Sequence, residues 1–173
     1  MIKIATFLAV SLAMAGVAAA APSPAATPAG TFQNWNFYTA GSGGSQVCFI
    51  ASQPTDSKYS KPVSGRDPAF FQVTTIPSKN IREEASSIVG YTFAADTSVV
   101  ADVDGTKFKM FLDSSYPDTT WAQPDQEAAL LTAMRHGHVL TLTGTSSRKT
   151  TVVDTYSLSG VSAALDAMSK ACK

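Results

Sequence analysis

The two histidines are the first side chains to consider for metal or acid–base chemistry. His136 and His138 lie two residues apart, on either side of Gly137. Zinc normally takes three or four protein ligands, and no third ligand of suitable type and spacing adjoins this pair. His136 follows a helical pattern, where the helix dipole favours a cationic side chain at the C-terminus. We therefore predict no metal site here.

The acidic and hydroxyl side chains form no recognisable catalytic pattern. Asp102, Asp104 and Asp113 fall in or near one predicted hairpin, but the D-x-[DN]-x-[DN]-G spacing of a calcium loop is missing. Serines are plentiful, yet no G-x-S-x-G motif occurs. Ser159 is predicted to cap the last helix rather than to act as a nucleophile. The sequence thus predicts no catalytic residues and no cofactor.

Two parts of the chain could form a recognition surface. Arg66 and Asp67 follow a polar segment and precede Pro68 and a predicted strand. They could contact a partner, or they could pair with each other and anchor the loop. Most large aromatic side chains of a β domain belong to its core, and an exposed subset would mark a partner or glycan surface. We name Arg66, Asp67 and Trp121 as the candidate interaction surface.

Residues 1–21 have the order of a secretory signal peptide. Lys3 gives a basic start, residues 4–17 form an apolar run, and residues 18–21 are all alanine. The alternative is an uncleaved anchor, but a membrane span needs about 20 apolar residues. We predict an exported protein that works outside the cytoplasm. No stable membrane insertion is expected after cleavage.

The two cysteines lie close to the two ends of the mature chain. Outside the cytoplasm, an even number of cysteines predicts a disulfide, here between Cys48 and Cys172. Two free thiols or an intermolecular link are the alternatives. No C-x-x-C motif is present, so thiol–disulfide exchange is not expected as an activity.

Composition limits the possible partners and the number of domains. Thirteen basic and thirteen acidic residues give a formal net charge of zero without clustering, so no nucleic-acid partner is expected. Residues 22–30 contain three prolines among small side chains and are predicted to form a flexible tether. Residues 31–173 then have the length of a single domain.

Apolar alternation predicts a mainly β protein. The predicted strands cover residues 32–38, 46–52, 69–76, 81–89, 98–103, 106–112, 138–145 and 150–158. Residues 54–68 are expected to be irregular. Helices are predicted at 124–135 and 161–172, with Gly137 ending the first in a left-handed conformation. We expect an antiparallel β-sandwich or partly open barrel, with the C-terminal helix packed on it. The predicted disulfide would link this helix to the second strand.

Several short segments follow one another along the chain in an order that is typical of a known family. They are FQNWNFY at 32–38, VCFIASQP at 47–54, RDP at 66–68, VGYTF at 89–93, VDG at 103–105, Phe108, Trp121, DTYSLSG at 154–160 and the helix that ends at Cys172. In this order the chain resembles the invasion-associated locus B family of exported bacterial proteins. The resemblance implies a small β protein with a disulfide, located in the periplasm of a Gram-negative bacterium or secreted to its outer envelope. Some family members are linked to entry into host cells. The resemblance implies no catalytic residues.

Three functional hypotheses follow. The first is a non-enzymatic protein that binds an envelope or host-surface protein. The second is an enzyme that acts on envelope polymers, which would need a deep pocket with converging polar groups. The third is a carrier that holds a small apolar ligand inside a barrel-like domain.

Overall fold

The computed structural model describes residues 25–173, so the predicted signal peptide and the first residues of the predicted tether lie outside the described part. The strands are β1 (Thr27–Phe32), β2 (Trp35–Ala40), β3 (Val47–Ser52), β4 (Asp56–Tyr59), β5 (Phe70–Ile76), β6 (Ile81–Ile88), β7 (Val99–Val103), β8 (Thr106–Leu112), β9 (Thr119–Ala122), β10 (Val139–Thr145) and β11 (Thr151–Ser157). The helices are α1 (Glu127–His136) and α2 (Val161–Ala171).

The eleven strands form one antiparallel sheet that curls back on itself. Their order is β1-β2-β3-β5-β6-β9-β8-β7-β10-β11-β4. Although β2 and β11 lie far apart in this order, the indole Nε1 of Trp35 donates a hydrogen bond to the carbonyl oxygen of Ser157 at 3.0 Å. Phe71 of β5 and Tyr156 of β11 meet edge to face, with ring centroids 5.8 Å apart. The two halves of the sheet therefore face each other without closing into a barrel, which confirms the predicted fold class.

The core lies between these halves and beneath the two helices. In β8, Phe108 and Met110 point inward, while Lys107 and Lys109 point to solvent. Helix α2 packs against β1, β2 and β3, and α1 packs against β6, β7 and α2. Each large apolar side chain that is fully buried contributes about 1.5–3 kcal/mol to stability. Helix α2 buries one apolar stripe, which consists of Val161, Ala164, Leu165 and Met168.

The predicted disulfide is present and links α2 to the sheet. Cys48 of β3 is bonded to Cys172, the residue that follows α2, and their Cα atoms lie 6.4 Å apart. Both side chains are buried. The bond therefore connects the end of the chain to the half of the sheet on which α2 rests, as the sequence predicted.

Predictions for the N-terminal part were wrong in two respects. β1 begins at Thr27, so the last residues of the predicted tether form an edge strand that pairs with β2. The single strand predicted over 32–38 is instead split by a two-residue turn at Gln33 and Asn34, with Gln33 at a φ of 53°. Because this turn lacks the glycine that usually supplies positive φ in a tight hairpin, the sequence pattern did not indicate it.

Two further predictions were wrong for local physical reasons. The segment predicted to be irregular contains β4, an edge strand paired with β11, and its largely exposed residues show no apolar alternation. Gly137 ends α1 in an extended conformation, with φ −84° and ψ 176°. A Cβ atom at this position would lie 2.6 Å from Cγ1 of Val103, so close packing rather than positive φ requires the glycine.

The predicted helix cap at Ser159 was also wrong. Its hydroxyl donates a hydrogen bond to the side-chain oxygen of Gln33, and α2 begins without a side-chain cap. Within residues 25–173, neither helix combines the length and the apolar character that a membrane crossing requires.

Loss of the disulfide is expected to lower the free energy of unfolding. The bond joins residues 124 positions apart. Loop-closure entropy then gives a stabilisation of up to about 5 kcal/mol. We expect Cys48→Ala/Cys172→Ala to unfold at a clearly lower guanidinium concentration than the oxidised protein. Reduced wild-type protein is the control, since it keeps both sulfur atoms in place. A loss below about 1 kcal/mol in both samples would contradict the prediction.

Glu127 is expected to make stability depend on pH in the mildly acidic range. Its carboxylate accepts a hydrogen bond from the Ala85 amide at 2.8 Å. Burial raises the pKa of Glu127, this hydrogen bond offsets part of the shift, and the charge of Glu84 adds to it. The pKa of Glu127 is thus higher in the folded protein than in the unfolded chain. Its protonated carboxyl therefore contributes to the stability of the folded state below the unfolded pKa. This contribution is lost as the pH rises through the folded pKa.

Glu127→Gln keeps an acceptor for Ala85 and removes the titration. We therefore expect the variant to gain stability relative to wild type as the pH rises from about 3 to about 7. Urea unfolding of both proteins across this range measures the difference. Parallel stability curves for the two proteins would refute the assignment.

Candidate interaction surface

Arg66 lies in the loop between β4 and β5 and points into the molecule. Its guanidinium forms a bidentate ion pair with Asp154 of β11, with Nη1 to Oδ1 at 2.8 Å and Nη2 to Oδ2 at 2.6 Å. Only 11% of the Arg66 side chain and 1% of the Asp154 side chain are exposed. Nε donates to the Val89 carbonyl oxygen at 2.7 Å. The geometry is that of a strong, charge-assisted pair that joins three parts of the chain.

Two tyrosines complete the surroundings of this ion pair. Nη1 of Arg66 donates to the hydroxyl oxygen of Tyr59 at 3.2 Å, and the guanidinium lies 5.2 Å from the ring centroid of Tyr91. Burial acts to lower the pKa of Arg66, but the hydrogen bonds and charge of Asp154 and Tyr59 raise it above its usual value. Burial also raises the pKa of Tyr91, as does the charge of Asp154. Arg66 is therefore charged and Tyr91 neutral at physiological pH.

The position of Arg66 differs from both interpretations made from the sequence. Most of its side chain is covered, and its carboxylate partner is Asp154 rather than Asp67. The reason is that β11 turns Asp154 toward the core, between the inward side chains of Val152 and Tyr156. A buried carboxylate needs a partner, so an acid at an inward position of an alternating strand was the signal that could have indicated the pair.

The other two predicted residues, Asp67 and Trp121, lie in one surface region. Asp67 is exposed and lines a groove of about 410 Å³ with Tyr116 and Asp118. Trp121 of β9 is half-buried, and its ring meets the edge of Tyr116 with centroids 5.6 Å apart. Tyr116 therefore connects the two predicted residues.

A third aromatic ring completes this surface. Phe111 of β8 lies directly across from Trp121, and their rings stack at 5.8 Å with planes 25° apart. Phe111 is 36% exposed and Tyr116 is 56% exposed. We call Phe111, Tyr116 and Trp121 the aromatic platform. The outward position of Phe111, in line with Lys107 and Lys109, was a usable sequence signal because an aromatic residue replaces the expected polar one.

Most charged groups around the platform are acidic. Asp118 accepts a hydrogen bond from the Thr119 hydroxyl at 3.0 Å, and Asp113 accepts one from the Ser115 amide at 2.8 Å. Asp67 lines the same groove as Asp118 and Tyr116. Lys109 is a basic residue on the same face of β8, two residues before Phe111. The surface thus combines apolar rings with carboxylates and hydroxyls.

A second depression of about 320 Å³ adjoins the groove. It is lined by Tyr59, Arg66 and Arg148, and it shares Tyr91 and other lining residues with the groove. The guanidinium of Arg66 donates hydrogen bonds to Asp154, Val89, Tyr59 and Ser57, so it lies at the bottom of this depression with its donors already engaged.

The histidines stand apart from this surface. Nδ1 of His136 lies 2.8 Å from the carbonyl oxygen of Thr132 in its own helix, and His138 contacts Asp104. Amide donors of His138 and Val139 hold the pKa of Asp104 below its usual value. Among residues 25–173, no group of three or more His, Cys, Asp or Glu side chains is placed to hold a metal ion.

Comparison with known proteins places this fold in a family. A family model described as "Invasion associated locus B (IalB) protein" matches residues 35–169, and the chain belongs to that family. No curated protein matches the chain. Among solved structures, the fold is similar to the crystal structure of invasion associated protein B from Bartonella henselae, with a TM-score of 0.54. The two are 14% identical over 82% of this chain and 96% of the other, so the likeness concerns the fold.

Removal of one partner of the buried ion pair is expected to destabilise the protein strongly. Asp154→Asn leaves the Arg66 charge buried without its counter-charge, which typically costs about 3–5 kcal/mol. We expect the double variant Arg66→Met/Asp154→Leu to lose less than the single variant, because it leaves no unpaired charge. Chemical denaturation of each variant measures these differences.

Lys107→Ala provides the matched control for the ion pair. Lys107 pairs with Asp102 on the surface, where its side chain is 72% exposed. Loss of an exposed pair costs at most about 1 kcal/mol. Equal destabilisation by Asp154→Asn and Lys107→Ala would show that the buried pair has no special role.

Proposed function

We propose that this protein is exported to the periplasm or outer envelope of a Gram-negative bacterium and acts there by binding. The bound component belongs to the envelope or to a host-cell surface, and the aromatic platform is the contact surface. The pattern of residues 1–21 and the disulfide support export into an oxidising compartment. Membership of the invasion associated locus B family is consistent with this role.

The observation that carries the proposal is the partial exposure of three aromatic rings, of which Trp121 contacts both Phe111 and Tyr116. Burial of apolar surface is worth about 25 cal/mol per Å², so a folded domain gains by covering such rings. Contiguous exposed apolar groups with a polar rim mark sites of interaction with a partner or ligand. Here the rim consists of Asp67, Asp113 and Asp118, which leaves the rings accessible from solvent.

The alternative functions receive less support from the described residues. A carrier needs an internal cavity, but the space between the two halves of the sheet is filled by Trp35, Phe71, Leu140 and Tyr156. An enzyme that acts on envelope polymers needs converging catalytic groups. The depression beside Arg66 holds tyrosines, serines and arginines, while both histidines lie outside its lining.

Crosslinking in cells tests the binding role. A photoreactive benzoyl-phenylalanine replaces Tyr116 on the platform, or Val139 as the matched control, which is 40% exposed. Val139 lies near the Asp104 end of the β7–β8 hairpin, whereas Phe111 lies at the opposite end. We expect a discrete adduct from position 116 that is absent from position 139 and disappears when Trp121→Ala is added.

Equal adducts from both positions would contradict a role for the platform. So would the absence of any adduct at position 116 in protein that is folded and exported. Folding and export are checked in the same sample after cell fractionation. Cys48 and Cys172 should resist alkylation there, because they are joined in the disulfide.

A further inference from the structure

We propose that the aromatic platform and the adjoining groove bind an uncharged glycan chain. The inference rests on the proposed binding function and names the chemical class of the ligand. Three properties of the site carry it, namely the arrangement of the rings, the polar groups of the groove and the sign of the surrounding charge.

The rings form a small, flat surface with one raised side. Phe111 and Trp121 project from neighbouring strands with nearly parallel planes, 25° apart, and Tyr116 stands at 72° to Trp121. A sugar ring has a flat face of C–H groups and a rim of hydroxyls, so it matches an aromatic surface with a polar border. A stable protein partner usually covers about 800 Å² on each side, which far exceeds the area of three half-exposed rings.

The groove supplies partners for sugar hydroxyls directly beside the rings. Asp67, Thr92, Ser115 and Asp118 line it together with Tyr116. Carboxylates are strong acceptors for hydroxyl donors, and the serine and threonine hydroxyls can donate or accept. Polar groups of this kind fix the orientation of a ligand whose apolar face rests on the rings.

The loop that carries Asp67 is held in place from both sides. The backbone amide of Asp67 donates to the Gly90 carbonyl oxygen at 3.2 Å, and the preceding residue, Arg66, is fixed by Asp154. A Cβ atom at position 90 would collide with the carbonyl oxygen of Asp67, so the close approach requires glycine. The backbone that carries the Asp67 carboxylate is therefore already fixed beside the groove before a ligand binds.

The charge around the site disfavours an anionic ligand. Asp67 and Asp118 line the groove itself, and Asp113 lies beside Tyr116. The basic side chains of this region lie outside the groove, Lys109 on the same face of β8 as Phe111 and Arg148 in the adjoining depression. Lys107 is already paired with Asp102. Since charges interact over about 8 Å at physiological salt, sulfated, phosphorylated or sialylated glycans would be repelled, whereas an uncharged chain would not.

The two tryptophans of the chain allow a direct assay. Trp35 is fully buried and Trp121 lies in the platform, so a ligand-induced change in tryptophan emission reports on Trp121. Laminarihexaose, maltohexaose and chitohexaose are the uncharged probes, and heparin is the anionic comparison. We expect at least one hexaose to change the emission in a saturable manner, and heparin to leave it unchanged.

Calorimetry with the hexaose that binds then tests the residues. Trp121→Ala and Tyr116→Ala should each weaken binding by about tenfold, and Trp121→Phe should restore most of it. Phe49→Ala is the matched control, because Phe49 stacks on Tyr38 at 5.0 Å on the outer face of β2 and β3, away from the platform. Its affinity should equal that of wild type.

The outcomes separate this inference from the proposed function. Any of three outcomes overturns the glycan inference. These are binding of heparin without binding of a hexaose, an unchanged affinity in Trp121→Ala, and no response to any of the three hexaoses. If a protein adduct at position 116 still depends on Trp121 in that case, the platform is a protein-binding surface and the binding function stands. If neither glycan nor adduct is found, both proposals are wrong.

Discussion

The buried ion pair between Arg66 and Asp154 is the constraint on which the arrangement of the two halves of the sheet depends. Removal of two charges from water is costly, so the pair adds little net stability, but the loss of one partner leaves the other charge buried and uncompensated. Its bidentate geometry requires Asp154 to point inward, and a shift of β11 by one residue would turn it to the opposite face. The third contact, from Nε to Val89, adds the end of β6 to the same point.

The same constraint shapes the surface on which the proposed function rests. Arg66 and Asp67 are neighbours, so the side chain that anchors the loop inside determines where the next carboxylate emerges outside. The backbone bond between Asp67 and Gly90 keeps that loop against the segment after β6. A recognition loop on a curled sheet would otherwise be mobile, and ordering it on binding would cost free energy. Here the loop is already ordered when the core folds, so binding does not have to order it.

Sequence patterns predicted the strands that show an apolar alternation. They missed the contacts that arise only when particular strands pair. The apolar period identified most of the longer strands, but the four-residue β9 in the middle of the sheet was too short to show a pattern. The cysteine count together with the predicted export indicated the disulfide. β4 was missed because an exposed edge strand has no buried face to create a pattern. The platform was only partly predicted, since Trp121 and Phe111 become neighbours through the β8–β9 pairing, which periodicity does not specify. The partner of Arg66 required knowledge of which strands face each other.

The inner and outer faces of the sheet contribute differently to the likeness between family members. The fold is maintained by inward groups, among them the disulfide, the ion pair and the side chains between the two halves of the sheet. Phe111, Tyr116 and Trp121 lie on the outer face and in a loop, where substitutions leave the core packing intact. A fold shared at 14% identity can therefore present different outer surfaces. The scaffold accounts for the resemblance within the family, and the outer face is the part of the molecule that can differ from one member to another without loss of the fold.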